Sequence, residues 1–326
     1  MEDRVHLRPV RVSAVGHFDL SNDQSTMGDP VKSLSVLVAS LLLVLSACGS
    51  EAEPVKAADP SESVSAAPSD SPSASESPTA GEEIEGTFSV GDRDLYISCT
   101  GTGSPTVVLE AGEGVRSGIM GAPIKEALSQ EVQVCAYDRA NTGSSGSAPV
   151  PRTGEQIAAD LHGLLEAAKV PAPYVLVGHS AGGLFVQSYA RAYPQEVAGV
   201  VAMNPVPPWK QWVKRAFPDM TKEERKVETR YFAGENGESL NYRAASEELE
   251  AHPVPDSVPF HMLISTIAQC ESPTDICGRT YPAYTAMMKQ ISEQWSGQFT
   301  QTPAGHEIYL DNLEAVTAAI KNVIGT

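Results

Sequence analysis

The sequence has no Cys-x-x-Cys pair, no His-Glu-x-x-His stretch, no cluster of Lys and Arg, and no apolar run long enough to cross a bilayer. The first two absences exclude the thiol redox motif, paired-cysteine zinc sites and the helical zinc peptidase site. No metal or organic cofactor is expected. Lys and Arg number 23 against 41 Asp and Glu, a formal net charge of −18. No run of Lys and Arg is available to neutralise a phosphate backbone, so no nucleic-acid partner is expected, and the acidity reads as a solvated surface.

Leu34 to Leu45 form an apolar run of about twelve residues, where a membrane-spanning helix needs roughly 20. With Lys32 just before it, the run fits the apolar region of a signal peptide. Leu45-Ser46-Ala47-Cys48 follows directly and resembles the lipobox of bacterial lipoproteins, which implies lipid on Cys48 and attachment to the outer face of the bacterial cell membrane. Residues 1–26 are polar and without periodicity, so Met27 is the expected true start and 27–47 the signal peptide. Residues 48–83 are nearly all Ser, Ala, Pro and Glu. Such a stretch cannot bury enough apolar surface to offset its chain entropy, and it is expected to act as a disordered tether.

Residues 84–326 then make one domain of about 240 residues, a size that fits a single α/β unit. Strands are expected at Leu95 to Cys99, Thr106 to Leu109, Val132 to Tyr137, Tyr174 to Gly178, Val197 to Met203, Phe260 to Ser265 and Gln298 to Gln301. Most are continuous β-branched and apolar runs, as in a parallel sheet covered on both faces. Ile157, Leu161, Leu164, Leu165 and Ala168 recur at helical spacing, as do Leu313, Val316, Ile320 and Val323. Alternating strands and helices imply a doubly wound sheet that binds ligands at the carboxyl ends of its strands.

One such end reads Val175-Leu176-Val177-Gly178-His179-Ser180-Ala181-Gly182-Gly183. A strand that turns at once into a helix leaves no room for Cβ atoms two residues either side of the apex, hence Gly178 and Gly182. The turn lifts Ser180 to the apex beside a helix N-terminus, where it is the candidate nucleophile. A serine hydroxyl needs a base. Of the seven histidines, His6 and His17 precede the mature chain, His162 is on a polar helix face, His179 is inside the turn, His252 is in an insertion and His261 is in a strand. His306 remains, in a loop between the last strand and the C-terminal helix, from which an imidazole can reach Ser180.

At these residues the chain resembles the α/β-hydrolase family, from about residue 86 to the end. The matching pieces are Pro105 to Gly112 (PTVVLEAG), Val134 to Gly146 (VCAYDRANTGSSG), VGHSAGG, and Ala304-Gly305-His306. The resemblance implies the α/β-hydrolase fold, a mostly parallel doubly wound sheet with helices on both faces and a helical cap insertion at about 206–257. It implies an oxyanion hole built from the backbone N–H groups of Ala181 and Glu113, with the Glu113 side chain facing solvent, and structural roles for Asp138 and Arg139. The strands carrying Cys99 and Cys135 become neighbours, which favours that disulfide and leaves Cys270 with Cys277. In the cap, Trp209, Trp212, Phe217, Tyr231 and Phe232 either line the site or pack the cap on the core.

The acid of a triad has two candidates, Glu271 and Asp275, a few residues past the usual offset after the strand at Phe260 to Ser265. At the other usual place, after Met203, stands Asn204. The expectation is an exported serine hydrolase acting on a small-molecule ester or acyl substrate through an acyl-enzyme on Ser180, with its activity falling as pH drops through roughly 6–7. Two further readings stay open: an aminopeptidase-like amide hydrolase, and a binding lipoprotein on a degenerate hydrolase scaffold.

Overall fold

The structure, a computed structural model, describes residues 83–266 and 274–325. Short runs rich in valine, isoleucine and leucine, bounded by Gly, Pro and polar turns, make the strands. They are β1 (Ile84–Val90), β2 (Arg93–Thr100), β3 (Thr106–Glu110), β4 (Val134–Tyr137), β5 (Tyr174–His179), β6 (Val197–Met203), β7 (Phe260–Ser265) and β8 (Gln298–Thr302). They form one sheet in the order β1-β2-β4-β3-β5-β6-β7-β8. The β1/β2 and β2/β4 pairings are antiparallel, and the pairings from β4 through β8 are parallel. β1 is a strand not among those expected from the sequence, although Ile84, Phe88 and Val90 alternate with the exposed Glu85, Thr87 and Ser89 around Gly86. It is an edge strand, and only one face needs apolar residues.

The helices are α1 (Ser117–Leu128), α2 (Gly154–Ala167), α3 (Ala181–Ala192), α4 (Trp209–Arg215), α5 (Lys222–Phe232), α6 (Tyr242–Ala251), α7 (Ile276–Gln294), α8 (Ile308–Asp311) and α9 (Leu313–Ile324). Thr153 and Gln156 start α2 with a reciprocal capping box, and Gly325 ends α9 in the left-handed conformation at φ 85°. Side chains alternate across the sheet. Leu176, Ala202 and Met262 pack on one face with α2, α3 and α7, while Val177, Val201 and Leu263 pack on the other with α1, α8 and α9. Covering both faces is what the unbroken apolar strands require.

Cys99 and Cys135 face each other across β2 and β4 and are joined by a disulfide. Cys277 is also disulfide-bonded. Its expected partner Cys270, like Cys48 and the whole signal and tether region, lies outside the described residues.

Helices α4, α5 and α6 form the cap between β6 and β7. Its aromatics pack on one another and on the core: Trp212 and Phe232 are fully buried, and Trp209 meets Phe217 and Phe232 at centroid distances of 5.5 and 5.0 Å. A cavity of about 340 Å³ between α3, α4, α6 and α7 is lined by Leu184, Val206, Leu249, Met262, Met288 and Ile291. None of the five expected cap aromatics is in its lining, and neither Ser180 nor His306 is.

Candidate active site

Ser180 sits between β5 and α3 with φ 53° and ψ −115°, a backbone state that L-residues other than glycine rarely adopt. Two ties hold it there: its N–H donates to the Met203 carbonyl at 2.9 Å, and its carbonyl accepts from Val206 N at 3.1 Å. A Cβ at Gly178 would overlap the Gly182 carbonyl, and one at Gly182 would overlap the Glu110 carbonyl. The two glycines are therefore dictated by the turn and by its contact with the end of β3.

The loop after β3 backs onto this turn. A Cβ at Gly112 would lie 3.1 Å from His179 Nδ1 and 3.5 Å from Ser180 Cβ. Among the described residues, neither the Ala181 nor the Glu113 backbone N–H donates to another group. Ala181 is the first residue of α3, whose opening N–H groups have no intrahelical acceptor. These are the two donors expected to hold an oxyanion.

His306 lies between β8 and α8, in a loop that three side chains fix by its backbone. Asn204 Nδ2 donates to the His306 carbonyl at 3.0 Å, His179 Nε2 lies 2.8 Å from the same oxygen, and Asp311 Oδ2 accepts from Gly305 N at 2.7 Å. A carbonyl only accepts, so His179 carries its proton on Nε2. Its Nδ1 is buried without a hydrogen-bond partner among the described residues. The rings of His179 and His306 are tilted at a centroid distance of 4.6 Å. Burial, and then the neighbouring His306, push His179 down to about 3, so it stays neutral. Burial likewise pushes His306 down to about 4. The His306 imidazole is thus neutral across the ordinary pH range. Among the described residues, no hydrogen bond joins its ring to the Ser180 hydroxyl.

Three expectations about side chains change or move outside view. The Glu113 side chain does not face solvent: the residue is 5 % exposed, and its carboxyl oxygens accept from Tyr231 OH at 2.5 Å, Tyr242 OH at 2.7 Å and Gly237 N at 2.6 Å. Buried polar groups are retained where partners exist, and the cap supplies them. Asp275 is the N-cap of α7, accepting from Gly278 N at 2.7 Å, and makes no hydrogen bond to His306. Glu271 lies outside the described residues.

Asp138 and Arg139 are structural as expected. Asp138 accepts from the backbone of Ser117 and Ser144, both at 2.9 Å. Arg139 forms a buried pair with Glu110 at 2.7 Å and binds Glu238 of the cap through both carboxylate oxygens. Burial alone would lower the Arg139 pKa, but Glu238 and Glu110 hold it well above the ordinary value. The cap partners of Glu113 and Arg139 carry no motif in the sequence. Among the described residues, no helix is long and apolar enough to cross a membrane, and no group of three or more His, Cys, Asp or Glu side chains is placed to hold a metal ion.

The sheet order, the cap position and the strained serine turn together define the α/β-hydrolase fold, and the family profile of that fold matches residues 105–227. The chain has the α/β-hydrolase fold. It is 39% identical over 114 residues to the protein provisionally named carbamate hydrolase RutD of Azorhizobium caulinodans, a match covering 35% of this chain and 42% of the relative. It is 34% identical over 105 residues to the uncharacterised YqjL of Bacillus subtilis, covering 32% and 41%. The chain therefore spans about two fifths of the length of these relatives. Among solved structures it resembles an enol-lactonase from Burkholderia xenovorans LB400, at a TM-score of 0.53 and 20% identity over 74% of this chain and all of the other (100%). It also resembles the carboxylesterase CesB of Bacillus subtilis, at 0.52 and 16% over 74% and 92%. At these identities the likeness is one of fold.

Proposed function

We propose that the protein is a serine hydrolase that cleaves carboxylic esters through an acyl-enzyme on Ser180. The observation that carries this is the strained Ser180 turn, beside two N–H groups that donate to no other group among the described residues, and near the loop of a histidine that burial keeps neutral. In this scheme Ser180 Oγ attacks the acyl carbon while His306 takes its proton. The Ala181 and Glu113 N–H groups stabilise the oxyanion, where such donors are worth most. The tetrahedral intermediate collapses, the C–O bond to the alcohol breaks, and His306 returns the proton to the departing oxygen. Water, deprotonated by His306, then releases the acid and regenerates Ser180. Glu271 is the residue proposed to orient His306.

A fluorophosphonate probe tests the reading: it should label Ser180 in the folded protein and not in Ser180→Ala. A second reading, cleavage of an amide or carbamate, is favoured by the 39% identity to the RutD protein. Graded p-nitrophenyl esters against prolyl amides and carbamates separate the two by kcat/KM.

The Leu45 to Cys48 segment supports export with a lipid anchor. Cys48→Ala should release active enzyme to the medium, and a variant that stays on the membrane would replace the lipid with a plain signal anchor.

A further inference from the structure

The loop that bears one candidate oxyanion donor is held by the cap and by Arg139. The Glu113 carboxyl group accepts from Tyr231, Tyr242 and the Gly237 backbone, all cap residues. Gly114 N donates to Glu238, also of the cap, at 2.5 Å. Glu238 binds the guanidinium of Arg139, which in turn donates to the Ala111 and Gly112 carbonyls at 2.5 and 2.8 Å.

The last of these contacts matters most for chemistry. The Gly112 carbonyl and the Glu113 N–H are the two ends of one trans peptide unit, so fixing the direction of one fixes the other. With Arg139 on the carbonyl, the N–H points to the opposite side. The Glu113 side chain and Gly114 N–H, both anchored in the cap, stop the unit from rotating. Both tyrosines stay donors, because burial and the adjacent carboxyl group hold their pKa values well above the ordinary range.

We propose that Glu113 is a positioning residue that couples the cap to the oxyanion hole: only when Tyr231, Tyr242 and Gly237 grip its carboxyl group does its N–H stand at the place where an oxyanion forms. Seating the cap and completing the catalytic site are then a single event. This rests on the serine-hydrolase reading above.

The test uses the full chain, Glu113→Gln, Tyr242→Phe and the double variant Tyr231→Phe/Tyr242→Phe. Steady-state kinetics on a p-nitrophenyl ester are paired with amide hydrogen exchange of residues 112–118 and 231–242. The double variant should lose tenfold or more in kcat with KM changed less than threefold, because a misplaced oxyanion donor acts on the transition state. Exchange should rise in both segments together. Tyr242→Phe and Glu113→Gln should show the same pattern at smaller amplitude, and they decide the matter if the double variant does not fold. A kcat within twofold of the parent while exchange rises would reduce the network to packing and overturn the proposal, as would faster exchange confined to 231–242. If the parent protein neither turns over ester nor takes up fluorophosphonate, the hydrolase reading has failed. The paired exchange response still decides whether the latch exists.

Discussion

Asn204 Nδ2 donates to the backbone carbonyl of His306 at 3.0 Å, while Asn204 Oδ1 accepts from Ser265 N at 3.0 Å. The residue that follows β6 thus grips the loop of the candidate base by its main chain, not by its ring. An aspartate there could accept from Ser265 but could not donate to the carbonyl, and would repel it. Asn204→Asp should therefore lower kcat at least as much as Asn204→Ala, about tenfold. A gain in kcat for the aspartate would instead mark position 204 as the place of the triad acid.

The two candidate acids separate cleanly by variant. Asp275 caps α7, and asparagine caps nearly as well, so Asp275→Asn should keep kcat within tenfold and cost well under about 1 kcal/mol of stability. Glu271→Gln should keep the fold and lower kcat by roughly 10³–10⁴, the loss expected when the base is no longer held in its tautomer. Kinetics and a melting curve on each variant check both statements. If Asp275→Asn shows the large loss, the helix cap is also the acid.

The lowered pKa of His306 predicts acid tolerance. An ordinary histidine would give an activity loss between pH 6 and 7, whereas a base held down to about 4 stays neutral until the pH approaches that value. The acid limb of kcat/KM should lie near pH 4 to 5, measured by short assays after a pH jump. Stability runs the same way: His179 and His306, both depressed from 6.5, add stability that is present above pH 6.5 and is lost as pH falls through about 3 to 4. An inflection at 6.5 in kcat/KM would show that the ring is solvated in the working enzyme.

These residues also show what a chain reveals of its fold. Gly178 and Gly182 were legible because a tight turn excludes every other side chain, and the parallel strands because burial on both faces leaves only apolar residues. The place of His306 between the last strand and the last helices was legible, whereas its role as base came by elimination and stays a proposal. β1 was missed although it alternates, because its short pattern holds only three large apolar residues and is interrupted by Gly86. Not legible either was the fate of Glu113, whose partners Tyr231 and Tyr242 lie 118 and 129 residues away across the cap insertion. Local periodicity carries no information at that range. The same holds for Asn204, whose contact with His306 spans 102 residues.

The central claim is that Ser180 is a nucleophile and not an inert apex, and covalent labelling tests it most directly. Folded protein treated with a fluorophosphonate should gain one phosphonyl group by intact mass, and peptide mapping should place it on Ser180. His306→Ala should slow the reaction by 10² or more, in line with loss of the base. Labelling absent from protein shown to be folded, or present and unchanged in Ser180→Ala, would contradict the account.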